Sequence, residues 1–257
     1  MTTLIILAAG QGTRLRPLTD DRPKCMVALA GRSLLEWQVA AAREAGAKRI
    51  VVVRGYCKEA VRSPDVTFVD NPHFERTNMV YSLWCARKHF GDGCVVSYGD
   101  IVYEPSVLRA VLAVRTTPAV IVDLAWRSYW EQRFSDPLAD AETLRLDEQG
   151  RITEIGKRPR TLDEVQGQYI GMSSWMENAS SLLRSVLDEA ASGAQLHPQR
   201  AFESLFITDL LQALIDRGQT LHAAPIRGGW LEIDGPDDLR LAETFVHAEG
   251  GRLRIAR

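Results

Sequence analysis

Long apolar runs, paired cysteines and a charge excess of either sign are all missing from this 257-residue chain. No stretch approaches the roughly 18 apolar residues that a membrane span needs. The apolar start, residues 4–9, is too short for a secretory signal and lacks its basic lead. The four cysteines, Cys25, Cys57, Cys85 and Cys94, form no C-x-x-C pair and have no histidine at zinc-finger distance. Reduced, mostly buried thiols are therefore expected, rather than disulfides or a zinc site. Thirty-one lysines and arginines stand against 33 aspartates and glutamates, a formal net charge of −2, which gives no overall pull toward nucleic acid or an anionic membrane. Any anion must be held by a local site. These absences together make a soluble, cytoplasmic protein with neither nucleic-acid nor membrane partners the expectation.

What is present is a globular composition, 46% hydrophobic and 25% charged, at a length that suits one large α/β domain or two small ones. Residues 3–8 form a short apolar run ending in glycines, as a buried strand feeding a loop does. An amphipathic stretch over residues 34–45 closes at Gly46, a helix stop, and residues 49–54 supply the next strand. Further strands are predicted over residues 66–69, 94–98 and 119–123. A helix over 80–89 has Asn78 as its cap, and another starts with Pro105 and runs to about Val114. Such alternation predicts an α/β fold, a mostly parallel sheet with helices on both faces. After Asp123 the pattern turns mixed. Residues 143–146 and 151–155 flank an Asp147-Glu148-Gln149-Gly150 turn, a hairpin signal. Helices are predicted over 180–191, over 208–217 with Thr208 capping, and over 236–247. With no repeat and no linker, residues 1–257 read as a single domain carrying an added β region.

The most informative segment is Leu7-Ala8-Ala9-Gly10-Gln11-Gly12-Thr13-Arg14-Leu15-Arg16-Pro17-Leu18. Small residues at Ala8, Ala9, Gly10 and Gly12 let the backbone pass close to a ligand at a strand end, and phosphate is the natural guest there. Leu15 stands where a dinucleotide fingerprint needs glycine or alanine, and no G-K-[ST] is present, so both familiar phosphate loops are disfavoured. The loop offers instead Arg14 and, ten residues on, Lys24 after Pro23. Two such cations can neutralise the charge that accumulates as a phosphoanhydride breaks. The alternative is a glycine turn with solvated basic residues.

The string L-A-A-G-x-G-T-R-L-x-P-L-T followed by P-K, here residues 7–19, 23 and 24, resembles the signature of the nucleotidyltransferase A superfamily, the sugar-phosphate nucleotidylyltransferases. Residues 78–83, 97–100, 154–157 and 232–234 resemble more closely its cytidylyltransferase branch, which acts on phosphocholine and phosphonates. The resemblance implies a Rossmann-like, mostly parallel mixed sheet with a β-rich acceptor-binding region. It also implies that residues 1–123 mainly bind nucleotide and residues 124–257 mainly bind the acceptor. The implied reaction is attack of an acceptor oxyanion on the α-phosphorus of CTP, releasing pyrophosphate. A phosphate monoester has a second pKa of about 6 and arrives ionised, so no general base is needed. The five histidines, His73, His89, His197, His222 and His247, accordingly form no recognisable dyad with a serine or cysteine.

Asp100 follows an apolar strand and Gly99, and Asp234 follows the short run 230–233, so both carboxylates are expected to project from strand ends into the crevice of the glycine loop. Two converging carboxylates suit Mg²⁺, which takes hard oxygen ligands. In the family this pair holds the catalytic magnesium, with Arg14 and Lys24 as catalytic cations. The competing reading makes each aspartate a helix cap, most plausibly Asp234 before Gly235-Pro236. By the same similarity Lys157 is expected to hold the acceptor's phosphate or phosphonate. The nucleotide is expected along Leu7, Ala8, Ala9, Gly10, Gly12 and Thr13, with Asn78 and Ser82 near the base. Asn78 is equally readable as a plain helix cap.

Asp123, Trp126 and Trp130 put a carboxylate and aromatics together, as a cage for an ammonium or trimethylammonium group would. Trp126 and Trp130 are also four apart, which is core spacing on one helical face, and Arg127 between them argues against a cationic guest. Two alternatives share parts of the pattern: a sugar-1-phosphate nucleotidylyltransferase using UTP or dTTP, and a non-catalytic nucleotide-binding regulator. Retention of Arg14, Lys24, Asp100 and Asp234 together speaks against the second.

Overall fold

In the computed structural model, residues 2–114, 116, 118–250 and 252–256 are described, without the side chain of residue 249. Nine strands form one sheet. They are β1 (Thr3–Ala8), β2 (Arg49–Arg54), β3 (Thr67–Asp70), β4 (Gly93–Tyr98), β5 (Ala119–Asp123), β6 (Leu144–Leu146), β7 (Arg151–Ile155), β8 (Gln168–Met176) and β9 (Leu221–Ile226). Their spatial order is β3-β2-β1-β4-β8-β5-β9-β7-β6. β3, β2, β1 and β4 pair in parallel, as do β5 and β9, while β8 and β7 run against their neighbours. All residues of β1 and β5 are buried, which is why these strands are continuous apolar runs rather than alternating ones. Successive residues of β1 nevertheless serve opposite faces: Ile5 and Leu7 enter one core cluster, Leu4 and Ile6 the other.

The helices cover these two faces. α1 (Leu34–Glu44) starts at a capping box in which the Ser33 hydroxyl accepts from the Glu36 amide and Glu36 accepts from the Ser33 amide. α2 (Met79–Cys85) is capped by Asn78, and α3 (Pro105–Ala113) and α7 (Pro236–Phe245) both begin with proline in the first turn. α4 (Trp126–Arg133), α5 (Asn178–Ala191) and α6 (Ile207–Asp216) complete the set among the described residues. A two-stranded pair outside the main sheet, Ile101–Tyr103 against Trp230–Glu232, ties the segment after β4 to the one after β9.

Several boundaries differ from expectation. The third strand lies at 67–70, the helix after Asn78 is shorter, and the helix from Pro236 ends at Phe245 because residues 246–249 enter a hairpin with residues 252–255. Thr208 is not a cap. It sits buried inside α6, whose start is held by the Asp209 carboxylate accepting from the Phe206 amide at 2.8 Å. β8, β9 and α4 had no counterpart in the predicted elements.

Candidate functional site

β1 lies between β2 and β4, so connections leave the sheet in opposite directions around its C-terminal end, the place where open α/β sheets form a crevice. The glycine-rich loop begins there. Gly12 has φ of +68°, and a Cβ on it would lie 2.8 Å from Cβ of Lys24. Leu15 is fully buried and anchors the loop, and Thr19 donates its hydroxyl to the Gly12 carbonyl at 2.8 Å. The chain thereby folds back so that Lys24 returns beside Gly12. On the neighbouring strand, a Cβ on Gly99 would meet the Leu7 carbonyl oxygen at 2.6 Å. Only glycine lets the turn into Asp100 pass so close to β1.

The result is a cleft of about 330 Å³ whose walls include Leu7, Ala8, Gly10, Gly12, Thr13, Arg14, Lys24, Asn78, Asp100 and Asp234. At its centre the Lys24 ammonium donates to Asp100 at 2.7 Å and to Asp234, and Arg14 pairs with Asp234 at 3.0 Å. Burial alone would lower the Lys24 pKa, but the charges of Asp100 and Asp234 outweigh it and hold the ammonium above the ordinary lysine value. Burial likewise pushes the Asp234 carboxyl up, and Lys24 and Arg14 more than reverse that.

A third carboxylate, Glu232, completes the centre. Asp100, Glu232 and Asp234 each offer one oxygen, and these lie within 4.8 Å of one another. Oδ1 of Asp100 is buried without a hydrogen-bond partner. Three hard oxygen donors, one with an unused lone pair, fit a divalent cation such as Mg²⁺. Behind them stands Arg133, whose side chain is fully buried and pairs with Glu232 at 2.7 Å and Asp238 at 2.9 Å. Asp238 accepts from the amides of Asp234 and Gly235, both at 2.9 Å. α4 thus fixes the backbone that presents Asp234, and the helix cap at this turn is Asp238 rather than Asp234. The sequence marks Glu232 only as part of the 232–234 motif, and its place two residues before Asp234, at the end of the strand, is the signal that finds it.

Other expected site residues sit elsewhere. The Ala9 carbonyl accepts from the Tyr56 amide, and Ala9 is not part of the cleft wall. Ser82 is buried, accepting from Asn71 at 3.0 Å, and also lies outside the wall. Asn78 reaches the cleft but spends its side-chain carbonyl on the Met79 amide at 2.8 Å. Lys157 is paired with Glu154 at 2.7 Å, with 59% of its side chain exposed, and does not line the cleft.

The cage of Asp123, Trp126 and Trp130 is not assembled. Asp123 is 2% exposed, and its carboxylate accepts from the amides of Ala125 and Gly228 and from the Trp230 indole, at 2.8, 3.1 and 2.8 Å. With three N–H donors on it and so little exposure, this carboxylate serves the fold rather than a ligand. Trp126, 4% exposed, packs into the core edge-on to Trp130. Of the three residues, Trp130 alone reaches the cleft system. Burial pushes the thiols of Cys25 and Cys94 up to about 12, which removes them as nucleophiles.

Beyond the carboxylates the cleft continues into a second lobe of about 240 Å³. It shares Arg14, Asp100, Asp234, Tyr98 and Phe206 with the first, and adds Asp140, Glu142, Gln168, Tyr169, Thr208, Trp130, Trp230 and Glu232. Burial raises the carboxyl of Asp140, and burial reinforced by Asp140 and Asp209 raises that of Glu142 to about 7.

Comparison with known proteins agrees with this geometry. Residues 4–219 match the model of the MobA-like NTP transferase domain. The chain is 36% identical over 249 residues to the CTP:phosphoglutamine cytidylyltransferase of Campylobacter jejuni, covering 92% of this chain and 97% of that protein. It is 31% identical over 162 residues to the 2-aminoethylphosphonate cytidylyltransferase of Lancefieldella rimae, 61% of each chain. In fold it resembles the CTP:phosphocholine cytidylyltransferase of Streptococcus pneumoniae, with a TM-score of 0.70 at 23% identity over 95% of this chain and 98% of that one. The loop, the strand-end carboxylates and the end-to-end similarity converge: the chain belongs to the MobA-like NTP transferase family and is a nucleotidyltransferase.

Proposed function

We propose that the protein transfers CMP from CTP to a small phosphorylated or phosphonate acceptor and releases pyrophosphate. The observation that carries this reading is the meeting of Arg14, Lys24, Asp100 and Asp234 between two lobes, one lined by the glycine loop and the other opening on the same carboxylates. The triphosphate lies along Gly10, Gly12 and Thr13, and the acceptor approaches from the second lobe. An acceptor oxyanion forms a bond to the α-phosphorus, the bond from that phosphorus to the pyrophosphate oxygen breaks, and pyrophosphate leaves with the electron pair.

Positioning and charge neutralisation carry such a displacement, since the nucleophile is already ionised. Arg14, with most of its side chain exposed, swings over the leaving phosphates, and Lys24 is held at the α-phosphate by Asp100 and Asp234. Mg²⁺ held by Asp100 and Asp234, with Glu232 beside them, would supply charge neutralisation on the phosphate oxygens. CTP as donor is supported by the cytidylyltransferase relatives named above. The four free thiols fit a reducing, cytoplasmic setting, and no described helix is long and apolar enough to cross a membrane.

A pyrophosphate-release screen tests the proposal. CTP, UTP, dTTP and ATP are each offered with O-phosphoethanolamine, 2-aminoethylphosphonate, phosphocholine and glucose 1-phosphate, with and without Mg²⁺. CTP-dependent, Mg²⁺-dependent release with a non-sugar acceptor is expected. Preference for UTP or dTTP with glucose 1-phosphate would replace it by the sugar-nucleotide reading, and nucleotide binding without release under any pairing would leave a regulator.

A further inference from the structure

We propose that the second lobe holds a subsite for a primary ammonium group carried by the phosphorylated acceptor, received by Asp140, Glu142 and Gln168. The inference deepens the transferase reading above and rests on it. A phosphate or phosphonate is drawn to Arg14 and Lys24. Nothing in that chemistry calls for two further half-buried carboxylates in the acceptor lobe.

Neither Asp140 nor Glu142 forms an ion pair with any described residue, and among the described residues Arg14 is the one cationic side chain in the lobe wall. The lobe wall therefore carries more acidic than basic groups, a balance that suits a cationic ligand. The second observation is independent of charge. Gln168 is 5% exposed, stands at the start of β8 in register with Asp123, and its side-chain carbonyl oxygen has no donor. A buried acceptor without a donor is costly and needs a partner in the lobe that it lines. An ammonium carries three N–H donors and a positive charge, so one group answers both the unpaired carboxylates and the unpaired amide. A trimethylammonium group has no N–H and leaves Gln168 unsatisfied. The indole and phenol rings of Trp130, Trp230 and Tyr169 line the same space and suit the short apolar link between ammonium and phosphate. A second metal ion is a poorer occupant, because among the described residues only Asp100, Glu232 and Asp234 gather three ligand atoms.

The test uses the whole chain with saturating CTP and Mg²⁺ and three acceptors of similar size: O-phosphoethanolamine, phosphocholine and propyl phosphate. The expected kcat/KM for O-phosphoethanolamine exceeds that for propyl phosphate by about ten- to hundredfold, the worth of a buried charge-assisted hydrogen bond, and exceeds that for phosphocholine as well. In Glu142→Gln and in Asp140→Asn the ratio of O-phosphoethanolamine to propyl phosphate falls at least several-fold. Two variants are used so that a folding defect in one does not decide the matter. Equal use of propyl phosphate by the wild type, phosphocholine as the better substrate, or an unchanged ratio in both variants would overturn the subsite. Should no acceptor turn over with CTP, the transferase reading falls. Calorimetric affinities of the same three acceptors for the protein then decide the subsite alone, with equal affinities overturning it.

Discussion

Lys24→Met removes the one ammonium that stands between three carboxylates. At an effective dielectric constant of about 20, unit charges at the 2.7 Å Lys24 to Asp100 separation attract by about 6 kcal/mol before desolvation is counted. Deleting one partner of a buried pair typically costs about 3–5 kcal/mol net. Asp100 and Asp234 keep some contact with solvent, at 24% and 16% side-chain exposure, so the low end, about 3 kcal/mol, applies. At about 2–4 °C per kcal/mol the melting temperature should drop by about 6–12 °C near pH 7.5. Two features separate this from an ordinary core defect. Without the ammonium, only Arg14 and Arg133 are left to oppose the upward push of burial on the Asp234 carboxyl. Protonation relieves that burden, so the variant should recover toward wild type as pH falls toward 5. A divalent ion can also take the vacated place. With no nucleotide present, about 10 mM MgCl₂ should restore about 2 kcal/mol to the variant and much less to the wild type, where the ion must displace the lysine. Differential scanning fluorimetry with and without Mg²⁺, against NaCl of equal ionic strength, measures all three. A variant with wild-type melting temperature and no response to pH or Mg²⁺ would refute Lys24 as the counter-charge of this centre.

Other expectations follow from single residues. Glu142 has its carboxyl raised to about 7 by burial, then by Asp140 and Asp209, against the opposing pull of Arg200. This acid contributes most below its unfolded pKa, and that contribution is lost as pH climbs to about 7. The stability of Glu142→Gln relative to wild type should therefore improve by about 2–3 kcal/mol between pH 5 and pH 8 in urea titrations, and parallel profiles would contradict it. Gly12→Ala forces a side chain onto a backbone at φ +68° and against Lys24 at 2.8 Å. A cost of about 1–2 kcal/mol in stability and a fall in kcat larger than any rise in CTP KM are expected from denaturation and steady-state rates. Asp123→Asn places an amide N–H against a backbone amide or the Trp230 indole N–H, and should lower stability by about 1–3 kcal/mol. Unchanged stability with a raised KM confined to cationic acceptors would instead return Asp123 to the ligand.

The glycine loop and the first four parallel strands were legible because their signals are local. A fully buried strand is an unbroken apolar run, and a close backbone pass needs glycine at one position. β8 was not legible for the same kind of reason. It is the nine-residue strand in the middle of the sheet, between β4 and β5. Gly171, Ser173 and Ser174 interrupt its apolar character, yet they are compatible with burial because partners on both sides satisfy the backbone. The acidic lobe was illegible in another way: Asp140 and Glu142 look like loop residues, and only the tertiary fold, which brings Trp130 of α4, Thr208 of α6 and Gln168 of β8 into the same wall, half-buries them.

Asp100 and Asp123 show where local reading stops. Each ends an apolar strand, and the sequence offers each as a ligand group, Asp100 in the crevice of the glycine loop and Asp123 in an aromatic cage. What separates them lies more than a hundred residues further along the chain. The Trp230 indole and the Gly228 amide reach back to Asp123 and close its hydrogen bonding. Asp100, in register beside the same returning segment, receives from it only other acids, Glu232 and Asp234, and has to be balanced by Lys24. One pair of strands, 101–103 against 230–232, delivers both outcomes: the indole of Trp230 goes to the aspartate that holds the fold, and the carboxylates after it go to the aspartate that faces Lys24 in the cleft. A strand-end aspartate is a functional candidate when the donors that converge on it are mobile cations, and a structural one when they are fixed N–H groups. That distinction is tertiary, and it is the reason that the convergence of Asp100 and Asp234 on one crevice was legible in the sequence while the structural place of Asp123 was not.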